Sequence, residues 1–164
     1  MNKDLQILKN PYDEPVHAEA IFKVLDSYAS DVMGGSKSLG PFTRDNLVKE
    51  LKRRDWIVTF LAVLEDEPVG LLIAMEGFST FAALPLMNIH DVAVVPGHRG
   101  KGIGKALFDA VEAEAKSRKC CKLTLEVLSG NTVAMGLYDK LGFRPYELDP
   151  EAGTAQFWDK SLLD

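Results

Sequence analysis

The chain is poor in cysteine: its 164 residues hold two, Cys120 and Cys121, and they are adjacent. Neighbouring cysteines rarely bridge, and a single pair builds neither a disulfide framework nor a thiolate zinc site. Two reduced thiols in a cytoplasmic protein, with no metal site, is the expectation. Long hydrophobic runs are also lacking. Residues 56–64, WIVTFLAVL, have the length of a buried strand and not of a membrane span. The first residues, MNKDLQILKNPYDEP, are too polar and too proline-interrupted for a secretory leader. Positive charge is in deficit, with a net charge of −5. That balance argues against a nucleic-acid partner held by a basic surface, but it leaves room for a local cationic pocket.

A hydrophobic content of 46% suffices for a proper core. The length predicts a single domain over residues 1–164. Residues 5–8 read as a first strand. Residues 14–33 carry Ile21, Val24, Leu25 and Tyr28 at helical spacing behind Pro15. A glycine-rich loop (34–42) precedes a helix over 43–55, with Thr43 as its N-cap. Strands at 56–64 and 68–76 flank a turn at EDEP, and residues 86–95 form a third. Residues 102–118 are the clearest helix, with Ile103, Ala106, Leu107, Ala110 and Val111 on one stripe. A strand over 122–128 follows. A short helix over 131–143 then has Asn131 as N-cap and Gly142 at its C-terminal left-handed position. Residues 144–148 and 154–162 read as a closing hairpin. The order of elements gives an α/β protein with a mixed sheet.

The stretch VVPGHRGKGIGKAL (94–107) puts four glycines, Gly97, Gly100, Gly102 and Gly104, where a strand hands over to a helix. Arg99, Lys101 and Lys105 lie among them. A helix N-terminus offers unpaired N–H groups and a partial positive charge, and glycine lets an anion approach the backbone. Phosphate is the best match. The Walker pattern fails because Ile103 stands where lysine is needed. The dinucleotide pattern fails because Lys105 replaces its last glycine. From these residues alone the loop is either an anion cradle or a plain turn.

With Arg99-Gly100-Lys101-Gly102-Ile103-Gly104, the chain resembles the GCN5-related N-acetyltransferases (GNAT), whose pyrophosphate loop reads Arg/Gln-x-x-Gly-x-Gly/Ala. A second motif of that family follows at the expected distance: Asn131, Ala134, Tyr138 and KLGF (140–143). The resemblance covers residues 88–144. It implies a mixed, largely antiparallel sheet flanked by helices and splayed between the strands at 88–95 and 122–128. It implies acetyl-CoA in that V, with coenzyme A as product. The pantetheine arm would bond the backbone of Val92, Ala93 and Val94, and the pyrophosphate would rest on the N–H groups from Arg99 through Gly100, Lys101, Gly102, Ile103 and Gly104 to Lys105. Asn131 and Ala134 would contact the cofactor, Asn131 serving equally as a plain helix cap.

Acetyl transfer to an amine needs a base for the amine, a donor to the thioester carbonyl and an acid for the thiolate. A backbone N–H near Val94 would serve the carbonyl. Tyr138 matches the family's general acid, while its place on the stripe Ala134, Leu137, Tyr138, Leu141 also suits a core ring. His90 stands where polyamine-type members carry glutamate. Histidine ordinarily exchanges protons near neutral pH, so His90 is the candidate base, with a satisfied histidine in the sheet as the other reading. Glu76 and Asp91 are the fallbacks, or they hold the substrate's ammonium. The resemblance places the acceptor between the 33–42 loop and the segment from Phe78 to Phe81. A small-molecule primary amine is the expected acceptor, free of membrane and nucleic acid. A protein or peptide acceptor and a non-catalytic CoA sensor are the alternatives, and a homodimer is common in the family.

Overall fold

The structure, a computed structural model, describes residues 4–147, 149, 151 and 153–162. The chain divides into two compact units, Met1–Leu125 and Glu126–Asp164. The first holds β1 (Leu5–Lys9), α1 (Pro15–Ala29), a 3-10 turn (Val32–Gly34), α2 (Pro41–Lys52), β2 (Ile57–Leu64), β3 (Glu67–Ser79), β4 (Leu84–Val94), α3 (Ile103–Ser117) and β5 (Leu123–Leu125). The strands lie in the order β1-β2-β3-β4-β5. The first three pairings are antiparallel, and β4–β5 is parallel. The α3 crossover makes that parallel pairing possible. The sheet is thus mixed and largely antiparallel, as expected. The second unit holds α4 (Thr132–Lys140).

The β2–β3 turn is tight because Glu65 and Asp66 both adopt left-handed backbone, at φ 51° and 64°. Two such residues match the twist of the flanking strands. The long first helix expected over 14–33 is broken. Asp31 leaves it in extended conformation, and its side chain accepts from the Met33 N–H to start the separate 3-10 turn. A short acidic side chain competes with helix continuation in this way. The second helix begins at Pro41, with Gly40 and not Thr43 as N-cap, because the fixed φ of proline suits a first helical turn. The strand expected over 122–128 is confined to Leu123–Leu125. The closing hairpin does not form among the described residues. Residues 144–147 and 153–162 run without strand pairing, joined by a backbone bond of 3.5 Å from Ala155 N–H to the Tyr146 carbonyl. Pro145 has no N–H to give a ladder, and Leu148 lies outside the described residues.

In the first unit, α1 and α2 cover one face of the sheet. Ile21, Val24 and Leu51 pack on Leu61, Leu71, Ile73 and Ala93. The other face takes α3 through Ile103, Leu107 and Val111. Gly70 is what lets α3 sit so close. A Cβ there would lie 3.0 Å from Ile103 Cγ2 and 3.2 Å from Leu107 Cδ1. Side chains alternate along a strand. Gly70, Leu72 and Ala74 therefore face α3, and Leu71 and Ile73 face α1.

Candidate functional site

Strand β4 changes its behaviour at His90. Opposite β3, Ile73 pairs with Asp91 and the next residue, Ala74, pairs with Ile89, so His90 is the extra residue of a β-bulge. Directly opposed residues share a face. Ile89 therefore faces α3 with Ala74, whereas Asp91 and Ala93 face α1 with Ile73 and Leu71. Without the extra residue, Ile89, Asp91 and Ala93 would share one face. Pairing of β4 with β5 also stops here, at Ile89↔Leu125. On that side, residues 90–94 have no strand partner among the described residues. Bulges commonly end pairing and re-aim a side chain in this manner. After the bulge the side chains alternate: Val92 and Val94 lie on the face opposite Asp91 and Ala93. His90 itself stands exposed at the bulge.

Beyond the open edge comes the glycine loop. Gly97, Gly100 and Gly102 take φ of 87°, 77° and 83°, a region L side chains rarely adopt. A Cβ at any of the three would meet nothing within 4 Å. Gly102 is the N-cap of α3, and no side chain caps that helix. Its first turn, Ile103, Gly104 and Lys105, presents N–H groups that the helix itself cannot satisfy. The Ala106 N–H makes the first turn's closing bond, to the Gly102 carbonyl. Lys101 is exposed, and Lys105 pairs with Asp109 at 2.6 Å. Bare backbone, open space above it and a helix N-terminus together fit a phosphate group.

Arg99 is held on two sides. Its Nε donates to the Val94 carbonyl at 3.1 Å, and Nη2 donates to Asp31 Oδ2 at 3.0 Å. The Met33 N–H and then the Arg99 guanidinium hold the Asp31 carboxyl below its ordinary range. A few residues earlier, on α1, Asp26 accepts from Ser38 Oγ at 2.7 Å and from the Leu39 N–H at 2.6 Å. The 33–42 loop is therefore tied at both ends. The Asp26 and Asp31–Arg99 contacts were not legible in the sequence, because their partners stand 12 to 68 residues apart.

Asp91 faces α1 near Tyr28. Burial pushes the Asp91 carboxyl up, and His90 partly opposes this. The Tyr28 hydroxyl is also pushed up, first by burial and then by the charges of Asp91 and Asp31. Tyr28, expected only as a core residue, thus adjoins the site. The raised Asp91 value carries a sign for stability. Above the unfolded carboxyl value the folded protein must bury a charge, so Asp91 costs stability at neutral pH and costs nothing once pH falls below that value. Asp91→Asn is expected to raise the melting temperature at pH 7 by about 2–4 °C per kcal/mol of relieved desolvation. The gain should vanish near pH 3. Thermal unfolding across that range checks it, and a variant less stable than wild type at pH 7 would contradict it.

The other expected site residues are more dispersed. Glu76 is held by Arg118 Nη1 at 3.0 Å, at the C-terminal end of α3. That end lies about 22 Å from the glycine loop, the length of a 15-residue helix. Phe78 is four residues along β3 from Ala74, the residue beside the bulge, or about 13 Å. Phe81 is 92% exposed at the β3–β4 connection. In the second unit, Asn131 caps α4 by accepting from the Ala134 N–H at 3.2 Å. Tyr138 is buried in that unit's α4, with its ring 6.0 Å from that of Phe143. Gly142 takes the expected left-handed backbone, at φ 89°. Among the described residues no three His, Cys, Asp or Glu side chains are grouped to hold a metal, and no helix is long and apolar enough to cross a membrane.

Residues 25–143 match the family described as Acetyltransferase (GNAT) family. A streptothricin acetyltransferase of Streptomyces lavendulae is 38% identical over 106 residues, 63% of this chain. The matched stretch spans 54% of that protein, so the chain covers about half the length of this relative. A streptothricin acetyltransferase of Escherichia coli is 25% identical over 94% of this chain and 93% of its own length. Among solved structures, an aminoglycoside acetyltransferase from an uncultured soil metagenomic sample superposes with a TM-score of 0.77. It is 18% identical and covers 98% of both chains, a likeness of fold.

Proposed function

This chain belongs to the GNAT acetyltransferase family, and from that premise we propose that it is an acetyl-CoA-dependent N-acetyltransferase acting on a primary amine of a small molecule. The observation that carries the cofactor assignment is the run of left-handed glycines leading into an uncapped α3, beside a β4 edge without a strand partner. Bound acetyl-CoA supplies an acetyl thioester. The N–H groups of the loop and of Ile103, Gly104 and Lys105 receive the pyrophosphate. The β4 edge at Val92, Ala93 and Val94, which has no strand partner among the described residues, receives the pantetheine amides as a further strand would be received.

We assign His90 as the base. Its exposed position on the bulge lets the imidazole take a proton from the incoming ammonium, while the re-aimed strand turns Asp91 toward α1 and Tyr28. Asp91 then offers negative charge to the acceptor cation. A backbone N–H near Val94 donates to the thioester carbonyl oxygen as it gains charge. The new N–C bond forms as the C–S bond breaks. Tyr138 gives its hydroxyl proton to the departing sulfur, and the surplus proton of the newly acylated nitrogen passes through solvent to restore the phenol. Glu76, already paired to Arg118, receives no role in this scheme. Phe78 and Phe81 are left as wall residues for an acceptor that extends along β3.

The small-molecule acceptor is supported by the names of relatives, streptothricin and aminoglycoside acetyltransferases. It is also supported by the tied 33–42 loop, because a peptide acceptor needs an open groove. Release of free thiol from acetyl-CoA across a panel of small amines and N-terminal peptides tests it. Turnover confined to peptides would overturn the small-molecule reading. In the same assay His90→Gln should lower kcat about 10²-fold at pH 7. The loss should shrink as pH rises and more of the amine is free of its proton. A variant that keeps the wild-type rate at pH 7 would move the base elsewhere.

A further inference from the structure

We propose that Asp31 is a positioning residue for the cofactor phosphates, acting through Arg99. This rests on the acetyl-CoA reading above and adds to the glycine loop a residue from the distant α1 end. A guanidinium has two edges that can grip an oxyanion in a fork: the side edge, Nε with Nη2, and the end edge, Nη1 with Nη2. In this structure the side edge is already spoken for. Nε donates to the Val94 carbonyl at 3.1 Å, and Nη2 donates to Asp31 Oδ2 at 3.0 Å. The end edge, Nη1 with the second N–H of Nη2, is the fork left for a phosphate.

The support is rigid at the other side as well. Asp31 Oδ1 accepts from the Met33 N–H at 3.0 Å, so the carboxylate is fixed at both oxygens. The Arg99 side chain is 55% exposed and that of Asp31 is 26% exposed. An exposed pair of this kind contributes little to fold stability. Its consequence is geometric: an arginine held at two points loses less freedom when a phosphate arrives, and pre-organisation of this sort appears as affinity.

The test is a double-mutant cycle read by calorimetric binding of CoA to wild type, Asp31→Asn, Arg99→Ala and the double variant. Asparagine keeps a side-chain oxygen for the Met33 N–H and loses the charge that holds Arg99. Asp31→Asn is expected to weaken CoA binding about fivefold, and Arg99→Ala at least as much. The double variant should bind no more weakly than Arg99→Ala alone, because the two residues act as one unit. A role of Asp31 in merely building the 3-10 turn would persist without Arg99, so additive losses overturn the proposal. An Asp31→Asn variant that binds CoA as well as wild type, or more tightly, also overturns it, and the tighter case would make Asp31 a competitor of the phosphate. A wild type that does not bind CoA removes the proposed function, and this inference with it. Wild-type binding with an indifferent Asp31→Asn removes the inference alone.

Discussion

Gly102→Val is expected to weaken acetyl-CoA binding on the order of a hundredfold, the loss of a few charge-assisted hydrogen bonds at about 1.5–3 kcal/mol each. Two causes act at this position. Gly102 has φ 83° and ψ 0°, and left-handed backbone costs an L residue about 1–2 kcal/mol. A β-branched side chain suffers most, since its Cβ carries two heavy atoms. The second cause is occupancy. Nothing lies within 4 Å of the position a Cβ would take, so the valine methyls would fill the space in which the phosphate must approach the N–H groups of Ile103 and Gly104. Gly102→Asn separates the two causes. Asparagine tolerates left-handed backbone, so this variant should keep the loop and the melting temperature yet still bind acetyl-CoA weakly. Binding unaffected in both variants would mean that the loop is a turn and nothing more.

Tyr138→Phe is expected to lower kcat about 10²-fold with acetyl-CoA affinity unchanged within about twofold. The substitution removes one oxygen and keeps the ring. Tyr138 is buried, and phenylalanine keeps its ring, whose centroid lies 6.0 Å from that of Phe143. The melting temperature of the variant separates a loss of packing from a loss at the chemical step. The departing thiolate then has to take its proton from water. Steady-state turnover and a cofactor titration on the same preparation give both numbers. A Tyr138→Phe enzyme with wild-type kcat would return Tyr138 to the role its helical stripe already suggests, a core aromatic.

Much of this arrangement was legible in the sequence because it depends on local chemistry. The apolar stripe from Ile103 to Val111 predicted the face that α3 buries. The Asn131 cap and the left-handed Gly142 follow from residue types that suit those positions. The glycine loop was readable because glycine adopts left-handed backbone at the least cost, and the loop takes three such steps in six residues. What escaped was non-local. The bulge at His90 shows no special residue, and it exists only in the pairing of β4 with β3. Simple alternation places His90 with Val92 but does not reveal that the strand has changed faces between Ile89 and Asp91. The Asp31–Arg99 pair joins residues 68 apart. The start of α2 slipped by two residues because Thr43 is a good cap, while Pro41 is a better first-turn residue. The hairpin expected near the end of the chain rested on its aromatic, strand-like residues. Strand propensity largely reflects packing on a half-buried sheet surface, and here Phe157 and Trp158 are 78% and 83% exposed.

The central claim is that the loop from Gly97 to Lys105 binds the pyrophosphate of acetyl-CoA. The most direct measurement is thermal unfolding with increasing acetyl-CoA, with S-acetylpantetheine, which lacks the pyrophosphate, as the control. A ligand at 100 times its dissociation constant adds about 2.7 kcal/mol of stability. The account predicts a saturable rise in melting temperature with acetyl-CoA, a much smaller one with S-acetylpantetheine, and little rise in Gly102→Val. A folded wild-type protein whose melting temperature does not move at millimolar acetyl-CoA would contradict it.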